Sequence, residues 1–413
     1  MSTRSTKLAR TAGLAAALAL VPGIAAGARG GDDDANRLVG RAVLDVNTYA
    51  PGPTSGNFFT GARNGITFPT PSQPVAGFSA IVEGRQEGEY LAMPDNGFGA
   101  KANSPDFLIR AYWIQPDFKT ASGGSGKVVV GDHISFRDPD QLIGFTIVNA
   151  NTTERLLTGA DIDPESLQVD RHGDLWVGDE FGPWILHFDA EGRLLEAPIP
   201  LPGNLMSPNN PHLPSGTTPS QPNSRGLEGM GIDGRFLYPT LEGATQADLN
   251  ADPTSTRRLM FEYDINKGEF TGRQWEYRVD PNTPFVSDVA PLDNKRLVVI
   301  ERDGVNPGVQ RGVYVVDLRH AETGEVLEKR MVLDLGAIPD PDLVSLPAIH
   351  PGDIGLGNPF RVVCESVEAI RVIDRDQVLV GCDNNFPNLG RNRGLADDNE
   401  FIVVEVPGLS DRR

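Results

Sequence analysis

The sequence predicts an all-β chain, and within that class a β-propeller with five detectable four-stranded blades, five or six in total, whose ring is closed by an N-terminal strand. Three observations carry this. First, 46 glycines and 33 prolines punctuate 413 residues densely enough to keep every element short. Second, one hairpin unit recurs at five places along the chain. Third, strand-like runs follow each unit, yet the last unit is followed by a single run, a shortfall that an early segment can fill.

Taken in chain order, residues 1–28 read as a secretory signal. Arg4, Lys7 and Arg10 precede an apolar run from Leu14 to Val21, and "GIAAGA" offers small residues for cleavage near Ala26 or Ala28. That run is too short to span a bilayer, no later stretch is apolar enough to do so, and no lipobox-like cysteine accompanies it. The expectation is a secreted or periplasmic chain with no membrane span. Residues 29–40 read as a linker and 41–413 as the propeller domain, with "RLVGRAVLDV" as the strand that closes the ring.

The repeated unit is a polar or acidic residue, an apolar strand, a tight turn, a second strand and an acid. "FSAIVEGRQEGEYLAMPDNG" carries Ser79 in front and Asp95 behind. "ESLQVDRHGDLWVGDE" carries Glu165, then Asp179 and Glu180; its Leu167, Val169, Leu175 and Val177 alternate as strand residues do. "EGMGIDGRFLYPTLEG" carries Glu228 and Glu242. "SDVAPLDNKRLVVIERDG" carries Asp288 and Glu301, and "VEAIRVIDRDQVLVGCDNN" carries Glu368 and Asp383. Outer strands follow as "LIRAYWIQ", "WILHFDAEGRLLEA", "RLMFEYDINKGEFTGRQWEYRV" and "GVYVVDLRHAETGEVLEKRMVLDL", and the last unit has only "FIVVEV". A sixth blade, if there is one, lies in the irregular segment from about 120 to 160. Residues 196–226, rich in Pro, Asn and Ser, form a long loop inserted into the array and lead into Arg225 and Glu228.

In a propeller the innermost strand lines the channel and its antiparallel neighbour returns to the same face. The front acid and the back acid of each unit therefore meet at one mouth. Asp95, Glu165, Glu180, Glu228, Glu242, Asp288, Glu301, Glu368 and Asp383 are expected to converge there. Singly, each reads equally well as a solvated loop cap. Together they repel, and a divalent cation relieves the repulsion most directly. Oxygen ligands without clustered His or Cys select a hard ion, Ca²⁺ first and Mg²⁺ or Mn²⁺ next. The expected metal ligands are Glu165, Glu180, Glu228, Glu242, Asp288, Glu368, Asp383 and Asp95, and the expected catalytic groups are Glu165, Glu228 and Glu301. Arg225, Arg302 and Lys101 stand beside the acids and are expected to bind a substrate anion.

Other motifs carry less. "GMGIDG" fits a dinucleotide fingerprint but sits inside a hairpin with no helix after it, and "GGSGKV" lacks the spacing of a P-loop. There is no GxSxG elbow and no HExxH, and the six histidines are scattered, His172 in a turn. The formal charge of −19, about −22 without the signal's three bases, disfavours nucleic acid as a partner and suits a site for cations. Cys364 and Cys382 fall in one hairpin region of an exported chain, where register decides whether they pair.

The pieces "GFSAIV", "YLAMPDNGFG", "DPESLQVDRHGDLWVGDEFGPWILHFDAEGRLL", "RGLEGMGIDG", "LYPTLEGA" and "VSDVAPLDNKRLVVIERD" resemble the phytase-like family of exported bacterial proteins, also described as having esterase-like activity of phytase. The resemblance covers about 75 to 405. It implies a propeller and a hydrolase acting on phosphate or other esters of small molecules. The function expected from residues and resemblance together is a metal-dependent phosphoesterase at the acidic mouth. A lactonase or carboxylesterase, or a non-catalytic Ca²⁺-stabilised binding propeller, are the alternatives.

Overall fold

The computed structural model describes residues 35–411, so the segment read as a signal peptide lies outside the described residues. Strand β1 (Arg37–Leu44) begins inside the segment read as linker. The short strands β2 (Tyr49–Ala50), β3 (Gly61–Arg63), β4 (Ile66–Phe68) and β5 (Gln73–Pro74) follow, pairing β2 with β5 and β3 with β4.

The remainder is a series of antiparallel meanders, each started by one of the repeated hairpins. The first comprises β6 (Phe78–Glu83), β7 (Tyr90–Pro94), β8 (Arg110–Asp117) and β9 (Lys127–Ser135). The second comprises β10 (Pro164–Val169), β11 (Leu175–Asp179), β12 (Trp184–Phe188) and the short β13 (Ile199–Pro200). The third comprises β14 (Leu227–Asp233), β15 (Phe236–Leu241), β16 (Arg257–Asp264) and β17 (Glu269–Arg278), with helix α1 (Gln246–Ala251) between β15 and β16. The fourth comprises β18 (Phe285–Asp293), β19 (Arg296–Arg302), β20 (Arg311–Asp317) and β21 (Lys329–Asp334). The last comprises β22 (Ser366–Asp374), β23 (Gln377–Asp383) and β24 (Asn399–Glu405), and β1 adds to it as an outer strand, running antiparallel to β24 from Arg37↔Glu405 to Leu44↔Asn399. A single parallel pairing, Val43↔Lys127, joins this sheet to β9 and makes one eight-stranded sheet of the first and last meanders.

The first strands of the meanders, β6, β10, β14, β18 and β22, touch one another in that order, and β22 touches β6 again. The fold is thus nearly all-β and propeller-like, with its inner strands around one axis. Gly229 shows how tightly they pack: a Cβ there would lie 2.7 Å from Val289 of the neighbouring inner strand. Between sheets the apolar sides of successive meanders interdigitate, as where Trp176, Ile185, Leu227, Leu237 and Tyr263 form one buried cluster. Among the described residues, 136–163 carries isolated bridges but no strand; its Phe136, Ile143, Ile147 and Leu157 instead fill the core between the first two meanders.

Candidate functional site

Each hairpin has its bulge at the same place. The pairing register shifts between Phe78 and Ala80, Pro164 and Ser166, Leu227 and Gly229, Val286 and Asp288, and Val367 and Ala369. The extra residues are Ser79, Glu165, Glu228, Ser287 and Glu368. A bulged residue lies out of the ladder and is aimed anew, which is how bulges commonly serve sites. The residue after the facing partner on the second strand is, in the same order, Asp95, Glu180, Glu242, Arg302 and Asp383.

These two sets, less the serines, line one polar cavity of about 120 Å³ together with Asn96, Asp163, Arg225, Ser366 and Asn385. Glu165, Glu180, Glu228, Glu242, Glu368, Asp95 and Asp383 are therefore brought together as expected, and Arg225 and Arg302 with them. Asp163 and the five glutamates bring their oxygens close enough, in sets of three, to share an ion. Asp163, Glu165 and Glu180 each offer an oxygen within 4.8 Å of the others, and so do Glu165, Glu228 and Glu368, and Glu180, Glu228 and Glu242. These are oxygen-donor sets able to hold a metal ion.

The charge within the cavity is only partly compensated. Arg302 Nη2 lies 2.9 Å from Glu242 Oε1, 3.0 Å from Glu368 Oε1 and 3.9 Å from Glu228 Oε1. Burial disfavours its charge, but Glu368, Glu242 and Glu228 hold the guanidinium above its ordinary range. Arg225 Nη1 donates to Glu242 Oε2 at 2.8 Å, and Glu180 Oε1 accepts from the Gly226 amide at 3.1 Å. Ser79 Oγ donates to Glu368 Oε2 at 3.2 Å. Burial first, and then neighbouring carboxylates, push Glu165, Glu228, Glu180, Asp95 and Asp383 well above the usual carboxylate range. Glu242 is raised by burial against the pull of Arg225 and Arg302, and Asp163 is raised by burial to about 6. Gly77 holds φ +78°, and a Cβ on it would lie 2.9 Å from Asp95 Oδ1 and 3.4 Å from Asp383 Oδ1, so the backbone itself seats these two acids.

Three expected site residues lie elsewhere. Glu301 is fully buried outside the cavity, where its carboxylate accepts from Tyr277 Oη at 2.5 Å, the Asp280 amide at 2.8 Å and Thr283 Oγ1 at 2.8 Å and pairs with Lys329. In a strand, adjacent side chains face opposite ways, so Arg302 takes the mouth and Glu301 the space between sheets. Asp288 is displaced in the same way by the bulge at Ser287. It caps backbone amides, accepting from Val289 at 2.7 Å and from Ile370 of the next inner strand at 2.8 Å, and burial raises it to about 8. Lys101 is not a lining residue: Nζ donates to the Asn209 carbonyl at 3.4 Å and lies 5.4 Å from the Phe181 ring centroid, against the 196–226 insertion. Conversely, Asp163 was not anticipated. Its signal is its place two residues before Glu165 in "DIDPES", which a period of two puts on the same side. Cys364 and Cys382 form a disulfide with Cα atoms 6.1 Å apart, next to Asp383.

A family profile described as Phytase-like, esterase-like activity of phytase, matches residues 73–386. A stretch of 134 residues is 30% identical to an uncharacterized secreted protein of Arthroderma benhamiae, covering 25% of this chain and 24% of that relative. The chain thus matches about a quarter of that relative's length. Among solved structures, a luciferin-regenerating enzyme aligns at 12% identity over 82% of this chain and 79% of its own, with a TM-score of 0.36. The PQQ-bound aldose sugar dehydrogenase of Streptomyces coelicolor aligns at 12% identity over 89% and 98%, with a TM-score of 0.33. Among the described residues no helix is long and apolar enough to cross a membrane.

Proposed function

The chain belongs to the phytase-like family, and from that premise we propose that it is an exported, metal-dependent ester hydrolase, most simply a phosphoesterase, built as a five-bladed propeller that starts at Arg37, where β1 completes the last blade, rather than at residue 41. The observation that carries this is the set of three overlapping carboxylate triads, which share Glu165, Glu180 and Glu228 at one end of the ring and have Arg225 and Arg302 beside them. The disulfide agrees with an oxidising compartment, and residues 1–28 are its signal peptide in this reading.

The donor set fits a hard divalent cation, Ca²⁺ first and Mg²⁺ or Mn²⁺ as alternatives, held by Asp163, Glu165, Glu180, Glu228, Glu242 and Glu368, with Asp95 and Asp383 completing the field. When bound, such an ion supplies charge neutralisation and Lewis-acid polarisation of the ester. The chain's own groups do the rest. Burial and then Glu228 and Asp163 raise Glu165, and burial and then Glu242, Glu368 and Glu180 raise Glu228, so whichever of the two the ion leaves unligated is the carboxylate that exchanges a proton with an attacking water or a leaving alkoxide. Arg302, permanently charged, stabilises negative charge that develops on the ester oxygens, and Arg225 orients an anionic substrate at the rim.

The test is metal content of the purified mature chain, paired with hydrolysis of 4-nitrophenyl phosphate, bis(4-nitrophenyl) phosphate and 4-nitrophenyl acetate before and after chelation. Bound metal with phosphate release that chelation abolishes is expected. Turnover of the acetate alone would move the activity to carboxylic esters, and no metal with no turnover would overturn the hydrolase reading.

A further inference from the structure

Beside the acidic cavity, and sharing Arg225 with it, lies a second cavity of about 410 Å³. It is large enough for a small organic ligand. Its walls come from the end of the 196–226 insertion, from α1 and the segment after it, and from the connection between β17 and β18. In a chain with 56 acids and 37 lysines and arginines, no carboxylate lines this cavity, while Arg225 and Arg258 do.

Arg258 is buried, yet every one of its hydrogen-bond partners is a main-chain carbonyl: Glu242 at 2.8 Å, Ser255 at 3.1 Å, Arg257 at 2.7 Å, and Pro284. Among the described residues it makes no ion pair, and the carboxylates that favour its charge, Glu242, Asp248 and Glu301, act on it from beyond ion-pair distance and outside the cavity lining. Arg225 spends Nη1 on Glu242 and the Ser224 carbonyl, and its Nε and Nη2 have no hydrogen-bond partner among the described residues. Phe285 separates the two cavities: Arg225 Cζ lies 4.0 Å from its ring centroid and Arg302 Cζ 5.3 Å. Such a stack fixes guanidinium planes while leaving their edges free to donate.

From this arrangement we infer that the second cavity is a subsite for an organic anion, a carboxylate or phosphate borne on the alcohol part of the ester whose scissile group sits among the acids. The inference rests on the hydrolase reading and narrows it to substrates carrying a second negative group. Arg225 then bridges the two cavities, and Arg258 acts through its charge rather than through hydrogen bonds.

Thr256 lines the cavity, and none of the contacts above uses its side chain. Calorimetric titration of the purified mature chain with benzoate and with phenylphosphonate, a non-hydrolysable phosphate mimic, is the test, repeated on Thr256→Trp, which fills the cavity, Thr256→Glu, which places a negative charge in it, and Thr256→Ser as a control. Binding of either probe that weakens about tenfold or more in both Trp and Glu variants but not in the Ser control is expected, and which probe binds tells carboxylate from phosphate. No binding of either probe, or binding that both variants leave unchanged, overturns the inference. Hydrolysis of 4-nitrophenyl phosphate on the same samples keeps the two claims apart: turnover without probe binding defeats the subsite alone, and variant-sensitive binding without turnover defeats the hydrolase reading while upholding the anion cavity.

Discussion

Arg302 donates to Glu368 Oε1 at 3.0 Å, joining the end of β19 to the bulge of β22. The corresponding position in every other hairpin is an acid: Asp95, Glu180, Glu242 or Asp383. The fourth hairpin thus places a fixed cation in a ring of carboxylates. Glu228, Glu242 and Glu368 have this guanidinium as a neighbour, whereas Asp163, Glu165 and Glu180 have none as close. The ring is therefore half neutralised by the chain itself, and the half that remains is where an added cation fits best.

Replacing that cation tests the division. Arg302→Gln takes the guanidinium away from three buried carboxylates, of which Glu242 alone keeps a second one in Arg225, and breaking a buried pair in this way typically costs about 3–5 kcal/mol. The unfolding midpoint in urea, measured in chelator at pH 7, is expected to fall accordingly, and excess Ca²⁺ is expected to recover more stability in the variant than in the parent chain. A variant as stable as the parent in chelator would mean that Arg302 is not what holds these acids together.

Glu228 and Glu301 separate site from scaffold. Glu301→Ala removes a fully buried acceptor of several hydrogen bonds and of Lys329, so a loss of about 3–5 kcal/mol is expected, with Ca²⁺ affinity of the folded chain nearly unchanged. Glu228→Gln does the reverse. It removes a shared member of two carboxylate triads and is expected to weaken Ca²⁺ binding about tenfold or more, the scale on which even supporting groups of metal sites matter. In chelator the same variant should be no less stable than the parent, because it replaces a carboxyl whose ionisation burial and its neighbours oppose with a neutral group of the same shape. Calorimetric Ca²⁺ titration beside urea unfolding reads both; loss of affinity in Glu301→Ala with none in Glu228→Gln would reverse the assignment.

The hairpins and most of their acids were legible because a period of two and a turn leave a strong pattern in each repeat. What failed, failed by one residue. Asp288 and Glu301 are the acids nearest to the expected places, but the bulge falls on Ser287 and the mouth position on Arg302. Side-chain alternation turns a one-residue offset into the opposite face, and no pattern of residue types announces where a bulge inserts its extra residue. Asp163 was missed because it precedes the strand that the pattern marks. Lys101 was assigned by nearness in sequence to "DNGFGA", and the insertion that actually holds it is more than a hundred residues away in the chain. The closing strand could be named because the last hairpin visibly lacked one.

The disulfide provides a prediction about stability and, through Asp383, about the site. It closes a loop with a sequence separation of 18 within the last meander, and a loop of that length is worth about 3 kcal/mol in the chain-entropy account. Cys364→Ser with Cys382→Ser is expected to lower stability by about that amount. Because Cys382 directly precedes Asp383 at the cavity wall, Ca²⁺ affinity should also weaken. Equal urea midpoints for parent and double variant would show that β1 and the surrounding sheet already constrain this loop.

Stability should also depend on pH in a direction opposite to that of most proteins. Buried carboxylates here have folded pKa values raised above the roughly 4 of an unfolded chain: Asp163 to about 6, Asp179 to about 7 and Asp288 to about 8, with Glu165, Glu180 and Glu228 raised well above the ordinary range. A group raised in this way holds its proton in the folded chain and releases it on unfolding. Its stabilising contribution is complete below the unfolded pKa and is lost as pH rises through the folded one. Glu400 has the opposite sign, held below its ordinary value, burial notwithstanding, by Arg391 and Arg41, so its contribution is lost only on strong acidification and leaves the window above pH 5 to the raised group. In chelator the urea midpoint is therefore expected to fall between pH 5 and pH 8. A cation must displace these protons to bind, so excess Ca²⁺ should raise the midpoint more at pH 8 than at pH 5. A midpoint that rises toward pH 8 in chelator, or a Ca²⁺ increment that shrinks with pH, would show that the acids are already ionised and neutralised without an added ion.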